Sequence, residues 1–270
     1  MSMPSRFVLL SAALSLSAAM ACGGASVESP VASDGPDWAA LRASFVESGE
    51  VPEQLLVPSA EAAALLPVLE PLVALNTEAG QQLLADADAD ADYVALMEVF
   101  EAQQYRSYCG VATSVMVLGA IGVDGVNQDN FFEPTAEVAP QVQVLFGGMN
   151  LQTLAALLRV HGEEVTAEHG GDITVDEFRA AIVENLGQAG DYVAVNYLRA
   201  AIGQETGGHI SPLGAYDAET DQVLVLDVAA HKYPSVWVSV QGLYDAINTV
   251  DSDGGATRGV VFVGPWPVTQ

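Results

Sequence analysis

The hydrophobic pattern of the chain changes its period near residue 190, and this change restricts the folds that the chain can adopt. Before that point, apolar residues recur at helical spacing and predict helices over residues 38–46, 60–75, 93–104, 109–121, 151–160 and 175–186. Beyond it, β-rich runs separated by turn residues predict strands over 192–198, 210–216, 222–228 and 258–263, with one helix over 239–249. A helical first half and a sheet-rich second half indicate an α+β domain with a cleft between the halves.

The segment around the second predicted helix contains residues that disturb regular structure. Pro67 and Pro71 lie inside this helix, and we expect them to kink or split it. Its expected buried stripe consists of Leu65, Leu66, Val68, Leu69, Leu72 and Val73. Aspartates at every second position from Asp86 to Asp92 are typical of the start of a calcium loop, but the glycine and the closing glutamate of such a loop are absent. We therefore interpret residues 86–92 as a solvated acidic connector.

The charge of the chain argues against a polyanionic partner. Its 270 residues include 8 Lys plus Arg and 35 Asp plus Glu, which gives a formal net charge of -27. A charge of this sign repels phosphate backbones and anionic bilayer surfaces, so nucleic-acid binding is not expected. The few basic residues that lie inside motifs are therefore unusually informative about binding.

The N-terminus has the layout of a secretory signal, because Arg6 is followed by an apolar stretch and by Ala-Met-Ala ahead of Cys22. Residues 1–21 are predicted to be a signal peptide, cut either at an Ala-x-Ala site or at a lipoprotein site where Cys22 becomes the lipidated N-terminus. Both alternatives place the protein outside the bacterial cytoplasm, in the periplasm or as a membrane-anchored lipoprotein. Contact with a membrane is expected only through the lipid.

This processing site sets the expected domain organisation of the mature chain. Residues 22–50 are predicted to be a tether, residues 51–92 an N-terminal helical extension with the acidic connector, and residues 93–266 a catalytic domain. A lipidated Cys22 cannot form a disulfide, so Cys109 would be a free thiol in an oxidising compartment.

Cys109 is the candidate nucleophile of the chain. Only a thiolate attacks an amide carbonyl efficiently, and a helix N-terminus and a neighbouring imidazolium both lower the pKa of a thiol. Cys109 opens a predicted helix, with Ser107 as its expected cap, and His209 would supply the imidazolium. Asp227 follows in the next predicted strand of a hairpin, where it can orient the imidazole. A buried, inert cysteine is the alternative.

Among the other polar residues, the sequence predicts a donor to the oxyanion but no metal site. The backbone N–H of Cys109 and a side-chain amide, from Gln103 or Gln104, are the candidate donors to a tetrahedral intermediate. The other histidines are His161, His169 and His231. Because none of them has the spacing of a helical His-x-x-x-His pair, a bound structural metal is not expected.

Several separated motifs resemble the phytochelatin synthases, papain-like cysteine acyltransferases that act on glutathione. The similar segments are 103–124, 127–132, 192–199, 203–213, 226–234 with Trp237, and 251–262. The resemblance implies a papain-like fold, in which a helical half with the nucleophile packs on an antiparallel sheet. It also implies Cys109 as nucleophile, His209 as general base and acid, Asp227 as orienting carboxylate, and Gln103 as the oxyanion donor.

The same resemblance places Arg199, Lys232 and Tyr233 at the peptide substrate. It implies no cofactor for acyl transfer, while heavy-metal ions such as cadmium or zinc would act as activators or as thiolate complexes of the substrate. This chain departs from many relatives at Ala230, where they have arginine, and at Arg106, where they often have proline. It is similar to the short prokaryotic form, which lacks a Cys-rich C-terminal region.

The function implied is cleavage of the Cys-Gly bond of glutathione through an acyl-enzyme on Cys109, with transfer of γ-Glu-Cys to water as the main outcome or to a second glutathione. Two other functions stay open at this stage. One is a papain-like peptidase that processes leader peptides, and the other is a non-catalytic exported lipoprotein that binds thiols or metals.

Overall fold

The computed structural model describes residues 36–59, 63–205 and 207–264. The predicted signal peptide, Cys22 and the first part of the predicted tether lie outside the described residues. No helix within the described ranges is long and apolar enough to cross a membrane.

Helices and strands alternate with loops along the described chain. The α-helices are α1 Trp38–Ser48, α2 Glu78–Asp86, α3 Tyr93–Glu98, α4 Cys109–Ile121, α5 Gln141–Gly147, α6 Leu151–Val160, α7 Val175–Leu186 and α8 Val240–Ile247, with short 3-10 helices at Glu53–Leu55 and Arg199–Ile202. The strands are β1 Val73–Ala74, β2 Val165–His169, β3 Tyr192–Leu198, β4 Gly208–Asp217, β5 Gln222–Val225, β6 Val236–Ser239 and β7 Gly259–Val263.

The described strands form one antiparallel sheet in the order β1-β6-β5-β4-β3-β7-β2. Side chains alternate between its faces, so Val261 and Val263 pack into one hydrophobic core with α4 and α6, while Val260 and Phe262 pack into another with α7 and α8. The fold is therefore α+β, as the sequence predicts. β4 lies in the middle of the sheet, where both of its faces are covered.

Helix α4 is buried on all sides, and this position fixes its orientation. Residues 110–118 are all buried, which explains why the segment is predominantly apolar around the whole helix rather than amphipathic. The Thr113 hydroxyl donates a hydrogen bond of 3.1 Å to the Ile210 carbonyl oxygen of β4. A β-carbon at Gly110 would lie 2.5 Å from Sδ of Met149, so any larger residue directly after Cys109 would displace the Met149 side chain. These contacts hold the first turn of α4 against the start of β4.

The helix predicted over residues 60–75 is wrong. Residues 63–72 form no helix or strand, residues 60–62 lie outside the described residues, and Leu65 and Leu69 are 43% and 59% exposed. Pro67 and Pro71 lack N–H groups and obstruct a helical backbone. The chain instead follows the sheet edge, since the N–H groups of Leu66 and Leu75 donate to the carbonyl oxygens of Lys232 and Ser235.

The acidic connector is not simply solvated. Asp88 accepts a hydrogen bond of 2.7 Å from the Ala218 N–H, and Ala89 pairs with Tyr216 at the end of β4. Asp92 is 3% exposed and accepts a hydrogen bond from the Gly190 N–H. Burial raises the pKa of Asp92 to about 6.

Helix α3 ends at Glu98, six residues before its predicted end at Gln104. The reason is that the following peptide groups bind elsewhere: the Gln103 N–H donates to the Val228 carbonyl oxygen and the Gln104 N–H to the Gln128 side chain. This strand-like passage brings residues 103–106 beside the turn after β5, just before Cys109.

Candidate active site

The thiol lies at the first residue of α4, as predicted, but the helix has no side-chain cap. Ser107, the expected cap, donates its hydroxyl to the Leu145 carbonyl oxygen at 2.6 Å instead. Because a helix leaves its first N–H groups without partners inside the helix, the backbone N–H of Cys109 remains a candidate donor to a developing oxyanion.

His209 and Asp227 meet next to the thiol because β4 and β5 form an antiparallel hairpin. His209 lies at the start of β4, and Asp227 lies two residues beyond the end of β5, where the Leu226 N–H still donates to the Pro212 carbonyl oxygen. The contact between His209 Nε2 and Asp227 Oδ1 measures 2.9 Å, and both side chains are buried. Since Nε2 faces the carboxylate, Nδ1 is the ring nitrogen left to exchange a proton with the thiol.

Ser211 is a member of this cluster that the sequence analysis missed. Its hydroxyl lies 2.9 Å from Nε2 of His209 and accepts a hydrogen bond from the Val228 N–H. The position is two residues after His209 on the same strand, so both side chains point to the same face. That spacing is the signal by which Ser211 could have been found.

Arg199 pairs with the orienting carboxylate rather than with open solvent. Its guanidinium is 3% exposed and binds both oxygens of Asp227, from Nη1 to Oδ2 and from Nη2 to Oδ1, each at 2.8 Å. The guanidinium also donates to the Gln204 side chain and lies 5.2 Å from the ring centre of Tyr233. Its predicted contact with substrate stays a prediction, since in this structure the guanidinium charge is paired with the Asp227 carboxylate.

The other two predicted substrate residues differ in their access to the cleft. Tyr233 is buried, and its hydroxyl accepts a hydrogen bond of 2.9 Å from the Glu205 N–H. Tyr233 therefore packs its ring against the Arg199 guanidinium and is not open to the cleft. Lys232 is partly exposed, lines the cleft and forms an ion pair of 3.2 Å with Glu205.

Gln103 lines the cleft beside Cys109, but its amide is already engaged. Nε2 donates to the carbonyl oxygens of Tyr105 at 2.8 Å and of Arg106 at 3.1 Å. Because an amide has only two N–H bonds, no donor is left for an oxyanion in this arrangement. The role predicted for Gln103 stays a prediction, and the Cys109 N–H at the start of α4 is the other candidate donor.

Burial and charge set the protonation of the cluster. For Asp227, burial opposes ionisation, but the charges of His209 and Arg199 outweigh it and hold the pKa well below its usual range. Burial, reinforced by the Arg199 charge, lowers the pKa of His209 to about 4. The imidazole is therefore neutral, and able to accept a proton, across the neutral pH range.

The thiol does not have the lowered pKa that the sequence analysis expected. Burial raises the pKa of Cys109, although the Ile210 N–H and the Arg199 charge act in the opposite direction. The resting site thus combines a neutral thiol with a neutral imidazole.

Two cavities flank Cys109, and both are also lined by Arg106 and His209. The first has a volume of about 450 Å³ and reaches Asn196, Asp251 and Arg258. The second has a volume of about 440 Å³ and is lined on its far side by residues that include Gln103, Glu205, His231 and Lys232. A bound peptide can therefore extend to both sides of the thiol.

The polar wall of the first cavity was not identified as a site from sequence. Asn196 donates to Asp251 at 3.2 Å, and Arg258 Nη2 lies 3.6 Å from the same carboxyl group. A β-carbon at Gly208 would lie 3.1 Å from Arg258 Nη2. The glycine before His209 therefore lets the guanidinium pack closely against the start of β4. The scarcity of basic residues was the available signal, since Arg258 is one of only 8 Lys plus Arg.

Neither a disulfide nor a metal cluster occurs among the described residues at this site. Cys109 is a free cysteine, and no group of three or more His, Cys, Asp or Glu side chains in the described part of the chain is arranged to hold a metal ion. Cys109 at a helix start, with His209 and Asp227 on a neighbouring hairpin, defines a site of the cysteine-nucleophile class.

Comparison with known families agrees with this class. The sequence model of the phytochelatin synthase family matches residues 63–260, and the chain belongs to that family. The matched range contains every member of the buried cluster described above.

Similar curated proteins are named glutathione gamma-glutamylcysteinyltransferases. Isoform 3 of Lotus japonicus is 32% identical over 179 residues, which cover 63% of this chain and 37% of the relative. Isoform 1 of the same plant is 30% identical over 202 residues, covering 72% and 40%, and the Schizosaccharomyces pombe protein is 25% identical over 182 residues, covering 64% and 44%. The aligned part of this chain thus spans less than half the length of each of these relatives.

Proposed function

We propose that this protein cleaves the Cys-Gly bond of glutathione through an acyl-enzyme on Cys109. The observation that carries the proposal is the 2.9 Å contact of His209 with Asp227 beside a thiol at an uncapped helix start. The names of the similar proteins supply the substrate class. We also propose a papain-like fold, because α4 presents the thiol to the sheet strand that bears the histidine.

The reaction uses the cluster twice. Nδ1 of His209 accepts the thiol proton while sulfur bonds to the cysteinyl carbonyl carbon, and the Cys109 N–H stabilises the oxyanion. The carbon–nitrogen bond to glycine breaks, and His209 protonates the departing amine. A water molecule or the α-amine of a second glutathione then attacks the thioester, loses its proton to His209, and restores the thiol.

The two cavities suit the two ends of this substrate. The γ-glutamyl end bears an ammonium and a carboxylate, which match Asp251 and the partly unpaired guanidinium of Arg258, whose Nε has no partner. The glycine end bears a carboxylate, which matches Lys232 and Arg106 in the second cavity. The peptide bond to be cleaved would then lie at the sulfur between the cavities.

Mass analysis of the products tests the proposal. Wild-type protein incubated with glutathione should release glycine and γ-glutamylcysteine and carry a γ-glutamylcysteinyl adduct on Cys109, whereas Cys109→Ser should do neither. Glutathione left intact by a folded wild-type protein would contradict the proposal. We propose water as the main acceptor, and mostly oligomeric product, with or without cadmium, would contradict that part alone.

Two further parts of the proposal concern metals and location. Cadmium or zinc would act as activators or as thiolate complexes of the substrate, which product rates against the metal-to-glutathione ratio can test. Export with lipidation at Cys22 would put the protein in the membrane fraction, and Cys22→Ala would release it. An unchanged distribution would contradict lipidation.

A further inference from the structure

One wall of the second cavity comes from a segment outside the family match. Leu56, Val57 and Pro58 line this cavity together with Cys109 and His209. The match to the phytochelatin synthase family begins only at residue 63. The family match therefore assigns no role to residues 55–58, which we call the entrance segment.

The entrance segment is held close to the nucleophile by backbone hydrogen bonds. The Arg106 N–H donates to the Leu55 carbonyl oxygen at 2.9 Å, and the Val57 N–H donates to the Gln104 carbonyl oxygen at 3.4 Å. Between them, Leu56 pairs with Tyr105 in an antiparallel bridge. The segment is thereby fixed to the passage that leads directly into Cys109.

The side chains of this segment have two different environments. Leu55 is 5% exposed and belongs to the hydrophobic core that includes α4, so it anchors the segment. Leu56 is 46% exposed and lines the cavity. An exposed leucine next to a nucleophile gives the cavity one apolar wall, while Arg106 and Lys232 provide the charged one.

This cavity is where an acyl acceptor must enter. In the proposed reaction, glycine leaves from the second cavity, and an incoming amine has to occupy the place that the glycine amine vacated. The distance between the entrance segment and the charged wall therefore limits the size of the acceptor. Water fits without restriction, and a peptide fits only as far as the apolar wall allows.

We propose that the entrance segment sets acceptor specificity, admitting water and glutathione and disfavouring longer γ-glutamylcysteine oligomers. This inference rests on the proposed function, since it needs a thioester on Cys109. It assigns to Leu56 the main steric role, because Leu56 is the larger of the two exposed apolar side chains in this wall, the other being that of Pro58.

The test compares Leu56→Ala with Leu69→Ala, which changes a leucine that is 59% exposed and lines neither cavity. Transfer of the acyl group from glutathione is measured to two acceptors, glutathione and an oligomer of three γ-Glu-Cys units. The ratio of kcat/KM for the long over the short acceptor should rise about tenfold in Leu56→Ala, the lower end of the effect of removing one apolar group from a pocket wall. Leu69→Ala should keep the wild-type ratio.

A second variant, Leu56→Trp, fills the cavity instead of opening it. It should lower transfer to glutathione relative to hydrolysis by at least threefold, and it provides the test if Leu56→Ala does not fold. An acceptor ratio that stays at the wild-type value in the folded Leu56 variants would overturn the inference, while acylation of Cys109 continues. Absence of the Cys109 adduct in wild-type protein would instead refute the proposed function.

Discussion

Two arginine–aspartate pairs of similar geometry occur in very different surroundings. Arg199 binds Asp227 at 2.8 Å with side chains that are 4% and 0% exposed, whereas Arg179 binds Asp221 at 2.9 Å with side chains that are 30% and 40% exposed. Water screens the second pair, and exposed pairs contribute only about 0–1 kcal/mol to stability. Removing one partner of a buried pair costs about 3–5 kcal/mol, because the other charge is left uncompensated.

The two pairs also do different work in the fold. Arg179 connects α7 to the turn between β4 and β5, where Asp221 has a positive φ of 52°. Arg199 acts on the active site, because its charge lowers the pKa of both Asp227 and His209. The exposed pair therefore connects two elements of the fold, whereas the buried pair sets the pKa values of active-site groups. Three predictions test this contrast.

The largest effect is expected for Arg199→Met. Without the guanidinium, the buried Asp227 carboxylate loses the cation that binds both of its oxygens, and we expect the free energy of unfolding to fall by about 3–5 kcal/mol. The pKa of His209 should rise from about 4, because a repelling positive charge has been removed. Since the base must be neutral, the acid limb of kcat/KM for glutathione cleavage should move to higher pH.

Urea unfolding and a pH–rate profile measure these two effects separately. Arg199→Lys is the control, since it keeps the charge but not the two-pronged contact, and it should restore most of the acid limb and less of the stability. An unchanged acid limb in the folded Met variant would show that Arg199 is only structural.

An intermediate effect is expected for Asp92→Asn, which tests a buried carboxylate without a paired cation. Burial raises its pKa to about 6, so its protonated form stabilises the fold below pH 4 and that contribution is lost as the pH rises through about 6. The amide keeps an oxygen for the Gly190 N–H and cannot ionise. Since one pKa unit corresponds to about 1.4 kcal/mol, we expect the variant to be more stable than wild type by about 3 kcal/mol at pH 8.

Thermal unfolding at pH 8 and at pH 4 measures this difference, and the advantage should disappear at the lower pH. Asp90→Asn changes an exposed neighbour and should have little effect at either pH. An equal effect of Asp92→Asn at both pH values would disprove the assigned ionisation.

The smallest effect is expected for Arg179→Met. Loss of its contacts with Asp176 and Asp221 should lower the free energy of unfolding by about 1 kcal/mol or less. Added salt at 1 M should reduce the difference from wild type, because exposed charges are screened. Urea unfolding without added salt and with 1 M salt measures this loss of stability. A loss as large as that of Arg199→Met would remove the contrast between the two pairs.

Local pattern was sufficient where one element satisfies its own backbone and buries a continuous face. The helices at 109–121, 151–160 and 175–186 and the strand at 192–198 agree with the prediction at both ends. The α7 helix shows the reason, since Thr174 and Glu177 form a capping box that is encoded within four residues.

Local pattern failed where distant parts of the chain bind the backbone. The predicted helix over 60–75 has the apolar residues of a buried stripe, but Leu66 and Leu75 bind the peptide groups of Lys232 and Ser235. The short strand β1 exists only because β6 lies beside it. Ser107 is a residue type that often caps helices, yet its hydroxyl donates to the Leu145 carbonyl oxygen.

The sequence alone determined that this chain is α+β, and it singled out Cys109, His209 and Asp227 as candidate site residues, because periodicity and residue type are local properties. The tertiary structure decided how those groups are charged and what surrounds them. It buried Arg199 against Asp227 and placed the entrance segment at the cleft. It also engaged the Gln103 amide with the carbonyl oxygens of Tyr105 and Arg106. Burial and hydrogen-bond partners arise from residues that meet only on folding, and the free energy of a charge depends on exactly those neighbours.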